Sequence, residues 1–590
     1  MKKISLLLAG VVFTLMGCEK FTEPALQNNG DFENIYTEPS LAHGILLNGY
    51  TRLPTNGWSF NDVATDDAVS NDAANNFRRI ATGQWSSAFN PLDQWTNTRS
   101  AIQYLNIFLA EADKVTWDSK DPMINDMFRD RLKGEAYGLR AYHMFHLLQA
   151  HAGFSNGVLL GFPLVLEPES PTSDFNRPRA TFDVCMQQIY SDLTKAEELL
   201  PLDYNDIASA SVIPAKYAGV KVENYNRVFG RLFKQRMTSR IAKAVRAKAA
   251  LLAASPAFSS GGTTTTWADA ANRAAEVLQL NGWLTNLDAN GVTWYDNRAE
   301  IDALASGGTP KEVLWRSNVA SSSDLEAAHY PPTLFGQGRL NPTQNLVDAF
   351  PMANGYPITN STSSGYNSAT PYASRDPRLQ KYIIYNGNTA GPTNTAINTT
   401  ADGPTNDALL KVETSTRTGY YMRKLLRHDV SRNSASINNQ KHYRPHIRYT
   451  ELFLIYAEAA NEAWGPLATG GNAHSAYDII KALRTRAAVG TANNHAYLES
   501  IKSDKDAMRT LIRNERRIEL AFEGFRFWDL RRWNSDLKET AKGVRILQNI
   551  PQSPFDVETR DFQDYMRFGP IPYSETLKFS ELQQQQNSGW

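Results

Sequence analysis

The chain has 590 residues, with 61 basic and 61 acidic side chains, so its formal net charge is zero. A balanced charge lacks the basic excess with which nucleic-acid-binding proteins neutralise phosphates, and this excludes nucleic acid as the expected partner. Only two cysteines occur, Cys18 and Cys185. Because Cys18 is assigned to a lipid below, we expect no intramolecular disulfide in the mature protein and predict that Cys185 is a small buried hydrophobe.

The N-terminus has the pattern of a lipoprotein export signal. Two lysines precede an apolar run from residue 4 to 16, and Gly17 directly precedes Cys18. Such a run is too short to span a membrane, and the signal is removed on export. We therefore predict a signal peptide over residues 1–17 and acyl chains on Cys18 that hold the protein on the outer membrane. An ordinary secretory signal with an incidental cysteine is the alternative.

Helical periodicity begins after a polar stretch, residues 18–37, which we interpret as a tether. Apolar residues then recur at spacings of three and four in nine segments, which predicts about eight or nine helices. They are Pro39–Leu53, Pro91–Ala112, Asp121–His151, Phe182–Leu200, Ser239–Ala254, Trp267–Leu280, Arg448–Ala463, Ser475–Ala487 and Asp504–Glu523.

Long segments between the helices are rich in Gly, Asn, Thr, Ser and Pro. They cover residues 203–235 and about 285–440 and are predicted to be irregular; long irregular segments in compact domains are often functional. The chain shows neither a βαβ rhythm nor a run of alternating strands, so we predict an all-α fold with long loops and few short strands. We expect one domain over 38–590, with a helical part over about 38–285 and a loop-rich and C-terminal part over about 286–590.

Several separated motifs then match one pattern in order. They are Gly134–Tyr142 (GEAYGLRAY), GFPLV at 161–165, NPTQ at 341–344, DPRL at 376–379, LIYAEA at 454–459, ERRIEL at 515–520, DLRRW at 529–533 and PIP at 570–572. Together with the lipoprotein signal, this ordered set resembles the SusD/RagB family of Bacteroidetes outer-membrane lipoproteins.

The resemblance implies both a fold and a role. It implies an all-α fold in which four tetratricopeptide-like helix pairs support a loop-rich ligand face. It also implies a protein that caps a SusC-like TonB-dependent transporter, captures an oligosaccharide, or in some members a peptide, and delivers it into the barrel. One departure concerns the family's acidic export signal after the lipid cysteine, which is diluted here in Glu19-Lys20-Phe21-Thr22-Glu23. Exposure at the cell exterior is therefore a weaker implication than anchoring.

Three groups of titratable residues could suggest chemistry, and we assign all three to structure. The arginines and glutamates of residues 513–523 fit helical ion pairs, because neighbouring arginines keep carboxylates ionised and unsuited to general-acid work. His143, His146 and His151 lack the HExxH spacing of a zinc site. Asp66 and Asp67, close to Asn71 and Asp72, are interpreted as a solvated turn rather than a cation site. With no GxSxG, Walker or GxGxxG motif, we predict no enzyme activity, cofactor or metal.

Sugar binding needs a flat ring for the C–H face of a pyranose and planar polar groups for its hydroxyls. Loop aromatics supply the candidates, and the loop of Trp85 is one that commonly contributes to the ligand face in the resembled family. The candidate ligand-binding residues are Trp85, Asn90, Trp294, Tyr295 and Tyr330, with Trp58 and Asp67 as weaker members. Trp95, Trp315 and Trp533 are assigned to the core instead.

The leading hypothesis is therefore a non-catalytic, surface glycan-binding lipoprotein. Its first rival is a RagB-like peptide or glycopeptide receptor on the same fold. A surface hydrolase and a purely structural lipoprotein are the other two rivals, and no residue in the sequence stands out as the catalytic acid that a hydrolase would need.

Overall fold

The computed structural model describes residues 32–54, 60–305 and 307–590. Within them, ten helices have eight residues or more, numbered here in chain order. They are α1 (Pro39–Thr51), α2 (Trp95–Glu111), α3 (Pro122–His151), α4 (Phe182–Leu199), α5 (Val222–Phe229), α6 (Ser239–Ala254), α7 (Trp267–Leu280), α8 (Tyr449–Trp464), α9 (Ala476–Arg486) and α10 (Lys505–Glu519). Shorter helices include Asn76–Ala81, Asp324–His329, Gln344–Ala349, Pro377–Tyr382, Ala496–Ile501 and Arg526–Arg532.

The predicted all-α class is confirmed, and the nine predicted helices are present with ends shifted by at most four residues. Local capping explains this agreement. The Asp121 carboxylate accepts hydrogen bonds from the first backbone N–H groups of α3, and Thr266 forms a capping box with Asp269 at the start of α7. Within residues 203–235 the prediction of irregular structure is wrong at α5.

Strands are short and pair only in twos within the described chain. The antiparallel pairs are Ala68–Ser70 with Leu340–Pro342, Gly153–Ser155 with Val158–Leu160, Val313–Arg316 with Pro445–Arg448, Ala320–Ser322 with Gln440–His442, Ile383–Ile384 with Tyr421–Met422, Thr389–Ala390 with Thr395–Ala396, Ala541–Gly543 with Phe555–Glu558, and Ile546–Leu547 with Ile550–Pro551. A two-stranded ribbon is marginal alone, so each pair depends on what packs against it.

Helix α3 is central to the N-terminal half and packs between α2 and α4. Its glycines permit the close approach, since a Cβ atom on Gly134 would lie 2.7 Å from the Leu200 Cγ atom. The Arg140 guanidinium then joins the three helices, because it donates to both carboxylate oxygens of Asp192 on α4 and to Asn106 on α2. The GEAYGLRAY motif thus combines helix contact with a buried ion pair.

The largest core cluster contains residues from Ile35 to Leu582, so the N-terminal and C-terminal segments share one core. A second cluster lies in the loop-rich segment and includes Trp294, Tyr330 and Tyr420. The predicted tether ends earlier than expected, because Phe32–Tyr36 forms a 3-10 helix and the Tyr36 hydroxyl donates to Glu111. Cys18 and the signal peptide lie outside the described residues.

Candidate functional site

Three predicted ligand-binding aromatics are buried. Trp294 is 2% exposed, Tyr295 6% and Tyr330 0%. The Tyr295 hydroxyl donates to the Lys381 carbonyl, and the Tyr330 hydroxyl donates to the Arg427 carbonyl. Rings in this state have no face open for stacking, so the expectation that they line an exposed platform is corrected. They belong to the second core cluster, because long loops here pack against one another rather than against solvent.

Trp85 and Asn90 are brought together, but by an internal contact. The Trp85 indole N–H donates to the Asn90 Oδ1 atom at 3.0 Å. The indole is only 5% exposed and packs edge-on against Trp590 and Phe527. This pair therefore closes the third core cluster, and the expectation of an open Trp85 ring is corrected as well.

The two aspartates interpreted as a solvated turn are buried ion-pair partners. Asp67 accepts from Arg517 at 2.6 Å, and Asp66 accepts from Arg517 and Arg526. Burial would raise the pKa of Asp66, but the two arginines outweigh burial and hold its pKa below the usual range. The interpretation as a solvated turn is therefore wrong, whereas the ligand role of Asp67 stays a prediction. Trp58, the remaining candidate, lies outside the described residues.

The residues that we assigned to structural roles from the sequence are mostly buried. Glu515 and Glu519 of α10 bind Arg378, and Glu515 also binds Arg484 of α9, all within 3.0 Å and fully buried. Cys185 is buried, and so are Trp95, Trp315 and Trp533, as predicted. His143 lies in the core with its Nε2 atom 2.9 Å from the Gly49 carbonyl. Among the described residues, no group of three or more His, Cys, Asp or Glu side chains could hold a metal ion.

A cleft of about 400 Å³ opens elsewhere in the loop-rich half. This volume falls in the range of small-ligand sites. The cleft is lined by Phe60, Ser317, Asn318, Ala320, Ser322, Asp324, Leu325, Ala328, His329, His442, Tyr443 and Arg444. Its wall thus combines rings and apolar carbons with hydroxyl, amide and charged groups.

The cleft lies where one pair of strands gives way to the next. Val313–Arg316 pairs with Pro445–Arg448, and Ala320–Ser322 pairs with Gln440–His442. Between these pairs the Ser317 N–H donates to the Arg444 carbonyl at 2.8 Å, and the Arg444 N–H donates to the Ser317 hydroxyl. The break in the ladder leaves residues 317–319 and Arg444 exposed or half-buried, whereas Tyr443 is buried, and the strands on either side hold their backbones.

Two rings in contact form one part of the wall. Phe60 and His329 lie with ring centroids 4.5 Å apart at an interplanar angle of 58°. Burial lowers the pKa of His329 to about 3, and the charge of Arg339 adds to this effect, so the ring is neutral. Behind the wall, the Tyr443 hydroxyl donates to the Trp294 carbonyl. The predicted aromatic Trp294 therefore supports the cleft without lining it.

A second histidine has the opposite charge preference. The His442 Nε2 atom lies 3.0 Å from the buried Glu326 carboxylate. Burial disfavours the charged imidazole, but the hydrogen bond and negative charge of Glu326 outweigh burial and raise the pKa of His442. Glu326 also accepts from the Arg427 N–H. This pairing ties the strand Gln440–His442 to the short helix Asp324–His329 across the cleft.

Sequence reasoning missed this site because its residues come from three distant segments: residue 60, 317–329 and 442–444. Only Phe60 lies close to a predicted candidate, Trp58. The available signal was the polar composition of the loop-rich segment, which indicates a functional surface without naming its residues.

Comparison with known proteins identifies the family. A model described as the SusD family matches residues 311–590, and one described as "Starch-binding associating with outer membrane" matches residues 43–221. The two matches together cover more than half of the chain. The chain belongs to the SusD/RagB family. The first model covers the motifs from NPTQ to PIP, and the second covers GEAYGLRAY and GFPLV.

Curated relatives match over shorter stretches. SusD-like protein P2 of Formosa agariphila is 35% identical over 136 residues, which is 23% of this chain and 24% of the relative. SusD-like protein P38 of the same organism is 32% identical over 89 residues, 15% of this chain and 16% of the relative. The matched segments thus span about a quarter or less of these relatives.

Solved structures share the fold over nearly the whole chain. A SusD-like protein from Bacteroides fragilis superposes with a TM-score of 0.72 at 22% identity, covering 95% of this chain and 99% of that protein. A SusD-like carbohydrate-binding protein from the same species gives 0.66 at 21% identity, covering 92% and 99%. A laminarin-binding SusD-like protein gives 0.52 at 19% identity, covering 93% and 99%.

Across the described ranges 32–54, 60–305 and 307–590, none of the helices combines the length and apolar character needed to cross a bilayer. The family model that matches residues 43–221 is described as associating with the outer membrane.

Proposed function

We propose that this SusD-family protein is a lipid-anchored binding protein of the cell surface. It captures an oligosaccharide in the cleft between Phe60, the short helix Asp324–His329 and residues 442–444, and passes it to a SusC-like TonB-dependent transporter. The observation that carries the proposal is the composition of the cleft, where ring surfaces stand beside hydroxyl and amide groups in about 400 Å³.

The chemistry of the cleft suits a saccharide. The half-buried Phe60 ring, packed on the buried and neutral His329 ring, offers apolar surface to pyranose C–H groups. Ser317, Ser322 and Asn318 offer donors and acceptors for sugar hydroxyls. Contacts of this kind compete with water, so we expect a modest affinity that permits release to a transporter.

Binding rather than catalysis is part of the proposal. Asp324 is the one acidic residue among those that line the cleft, and it is exposed. The buried Glu326 does not line the cleft, and one of its oxygens already bonds to His442 and to the Arg427 N–H. A general acid would need a carboxyl group with a raised pKa aimed at the glycosidic oxygen. A ligand held between rings and hydroxyl groups therefore leaves the cleft with its bonds intact.

Calorimetry with a matched pair of variants tests the cleft. Phe60→Ala should weaken glycan binding at least tenfold, because it removes one ring of the wall. Phe335→Ala is the control, since Phe335 is exposed, lies outside the cleft and shares the left-handed backbone of Phe60, with φ of 62° against 51°. The ligands are a panel of neutral and acidic plant, host and microbial oligosaccharides and a panel of peptides.

Each outcome of this experiment has a meaning. Saccharide binding that Phe60→Ala weakens and Phe335→Ala preserves supports the proposal. Binding of peptides alone would replace it with the RagB-like receptor. Equal loss in both variants, or release of shorter saccharides on incubation with the purified protein, would contradict it. Copurification of a large barrel protein from solubilised outer membranes tests the delivery step.

A further inference from the structure

A separate groove of about 230 Å³ lies on the loop-rich half, and no residue lines both this groove and the cleft. Three segments form it: residues 369–373, Asn386, and the hairpin of strands Ile546–Leu547 and Ile550–Pro551. None of its nine lining residues is charged. Its lining includes the half-buried rings of Tyr372 and Pro551, and its side-chain amides come from Asn386 and Asn549.

The Tyr372 ring is fixed before any ligand arrives. It stacks on the Tyr385 ring with centroids 4.1 Å apart and an interplanar angle of 18°. Its hydroxyl lies 3.1 Å from the hydroxyl of Tyr420, which in turn donates to the Gln344 side chain at 2.6 Å. A ring held by a stack and a hydrogen bond loses little conformational entropy on binding, and such preorganisation favours affinity.

The two amides are also held in place. The Asn386 Oδ1 atom accepts from the Thr399 N–H at 3.0 Å, which fixes the orientation of the carboxamide. Its Nδ2 atom donates to the Asn549 Oδ1 atom at 3.2 Å, across the groove. Each NH₂ group carries two protons, so N–H donors remain at the groove after this bond is made.

The hairpin presents Asn549 by an unusual turn. Leu547 pairs with Ile550, so Gln548 and Asn549 are the two turn residues, and both have positive φ, 49° and 63°. This is the type I′ geometry, which favours Asn and Gly and disfavours Gln. The turn places the Asn549 amide beside Asn386 at the edge of the groove.

We propose that this groove is a second binding site, for a neutral pyranose saccharide. The half-buried rings of Tyr372 and Pro551 cover sugar C–H groups, and the paired amides bond to hydroxyls. An anionic ligand would find no cation among the lining residues. An extended peptide would find no strand edge, because each strand of the hairpin has two residues and Pro551 lacks an N–H group. The site is independent of the cleft.

A glycine pair of variants isolates the amide of Asn549. Asn549→Gly removes the amide while glycine accepts the positive φ, so the hairpin is preserved. Gln548→Gly is the matched control, because Gln548 occupies the neighbouring turn position and does not line the groove. Calorimetry is run with malto-, cello-, laminari-, xylo- and manno-tetraose on the wild type, both glycine variants and Phe60→Ala.

We expect at least one of these tetrasaccharides to bind Phe60→Ala and to bind Asn549→Gly about tenfold more weakly than Gln548→Gly. If the cleft proposal fails and the groove proposal holds, the wild type and Phe60→Ala give the same isotherm, while Asn549→Gly still binds the tetrasaccharide more weakly. The groove proposal is overturned if Phe60→Ala abolishes all binding, if Asn549→Gly binds like Gln548→Gly, or if no tetrasaccharide binds.

Discussion

Replacing Glu519 by glutamine should destabilise the fold by about 3 kcal/mol at pH 7. Glu519 is fully buried and accepts from Arg378 at 3.0 Å and from Arg486 at 2.9 Å. Burial would raise its pKa, but Arg486, Arg378 and Arg448 outweigh burial and lower the pKa from 4.5 to about 2. A pKa shift of one unit corresponds to about 1.4 kcal/mol, so the lowered pKa of Glu519 amounts to roughly 3 kcal/mol of stability. Breaking a buried ion pair is expected to cost a free energy of this order.

The pH dependence follows from the depressed pKa. The contribution of Glu519 is complete above the unfolded pKa of about 4.5 and is lost as the pH falls towards the folded value near 2. Urea unfolding followed by helical circular dichroism should therefore show a difference between wild type and Glu519→Gln that is full at pH 7 and shrinks to about 1 kcal/mol at pH 3.

Glu499→Gln is the control for burial. The hydrogen bonds from Tyr477 and Lys502 lower the pKa of Glu499 to about 2 as well, but its side chain is 35% exposed. Solvent screening should limit its cost to about 1 kcal/mol or less. If both variants lose the same stability, or if the loss in Glu519→Gln is unchanged at pH 3, burial of the charge network is not what makes Glu519 matter.

Two further predictions concern the cleft and the anchor. Because the pKa of His442 is raised, its bond to Glu326 stabilises the fold below pH 6.5, and this stabilisation is lost as the pH rises through the folded pKa. In urea unfolding, His442→Gln should therefore lower the free energy of unfolding by about 1 kcal/mol more at pH 5.5 than at pH 8.5. An equal loss of stability at the two pH values would contradict this. Cys18→Ala should move the protein from the membrane fraction to the soluble fraction in cell fractionation, since it removes the thiol that we propose to be acylated. A variant that stays with the membrane would show another attachment.

Much of the scaffold could be predicted because its signals are local. Thr181 caps the first turn of α4, and Thr238 caps the first turn of α6. Each threonine directly precedes the apolar pattern of its helix in the sequence, so both the cap and the pattern can be recognised there. The ion pairs of α10 could be predicted in kind but not in partner. Glu515 and Glu519 reach Arg378, which lies 137 and 141 residues away in sequence and belongs to a segment predicted to be irregular.

The proposed binding surface could not be predicted in the same way. Aromatic residues in predicted loops were expected to be exposed, and position in a loop does not ensure exposure. Trp294 and Tyr330 are in loops, yet the loop-rich segment folds over its own apolar cluster and buries them. Aromatic content alone does not show which loops cover others. The rings that reach a cavity, Phe60 and Tyr372, are half-buried and carried no distinguishing pattern in the sequence.

The cleft depends on the same charge network as the scaffold. Arg448 ends the strand Pro445–Arg448 and binds Glu312, which directly precedes the partner strand Val313–Arg316, as well as Glu523 beyond α10. At the other end, the bond between Glu326 and His442 holds the strand Gln440–His442. Two-stranded pairs are marginal alone, so these ion pairs fix the strands. Residues 317–319, between the strand pairs, are half-buried or exposed and take no part in these ion pairs, so their side chains can change with the ligand while the frame stays fixed.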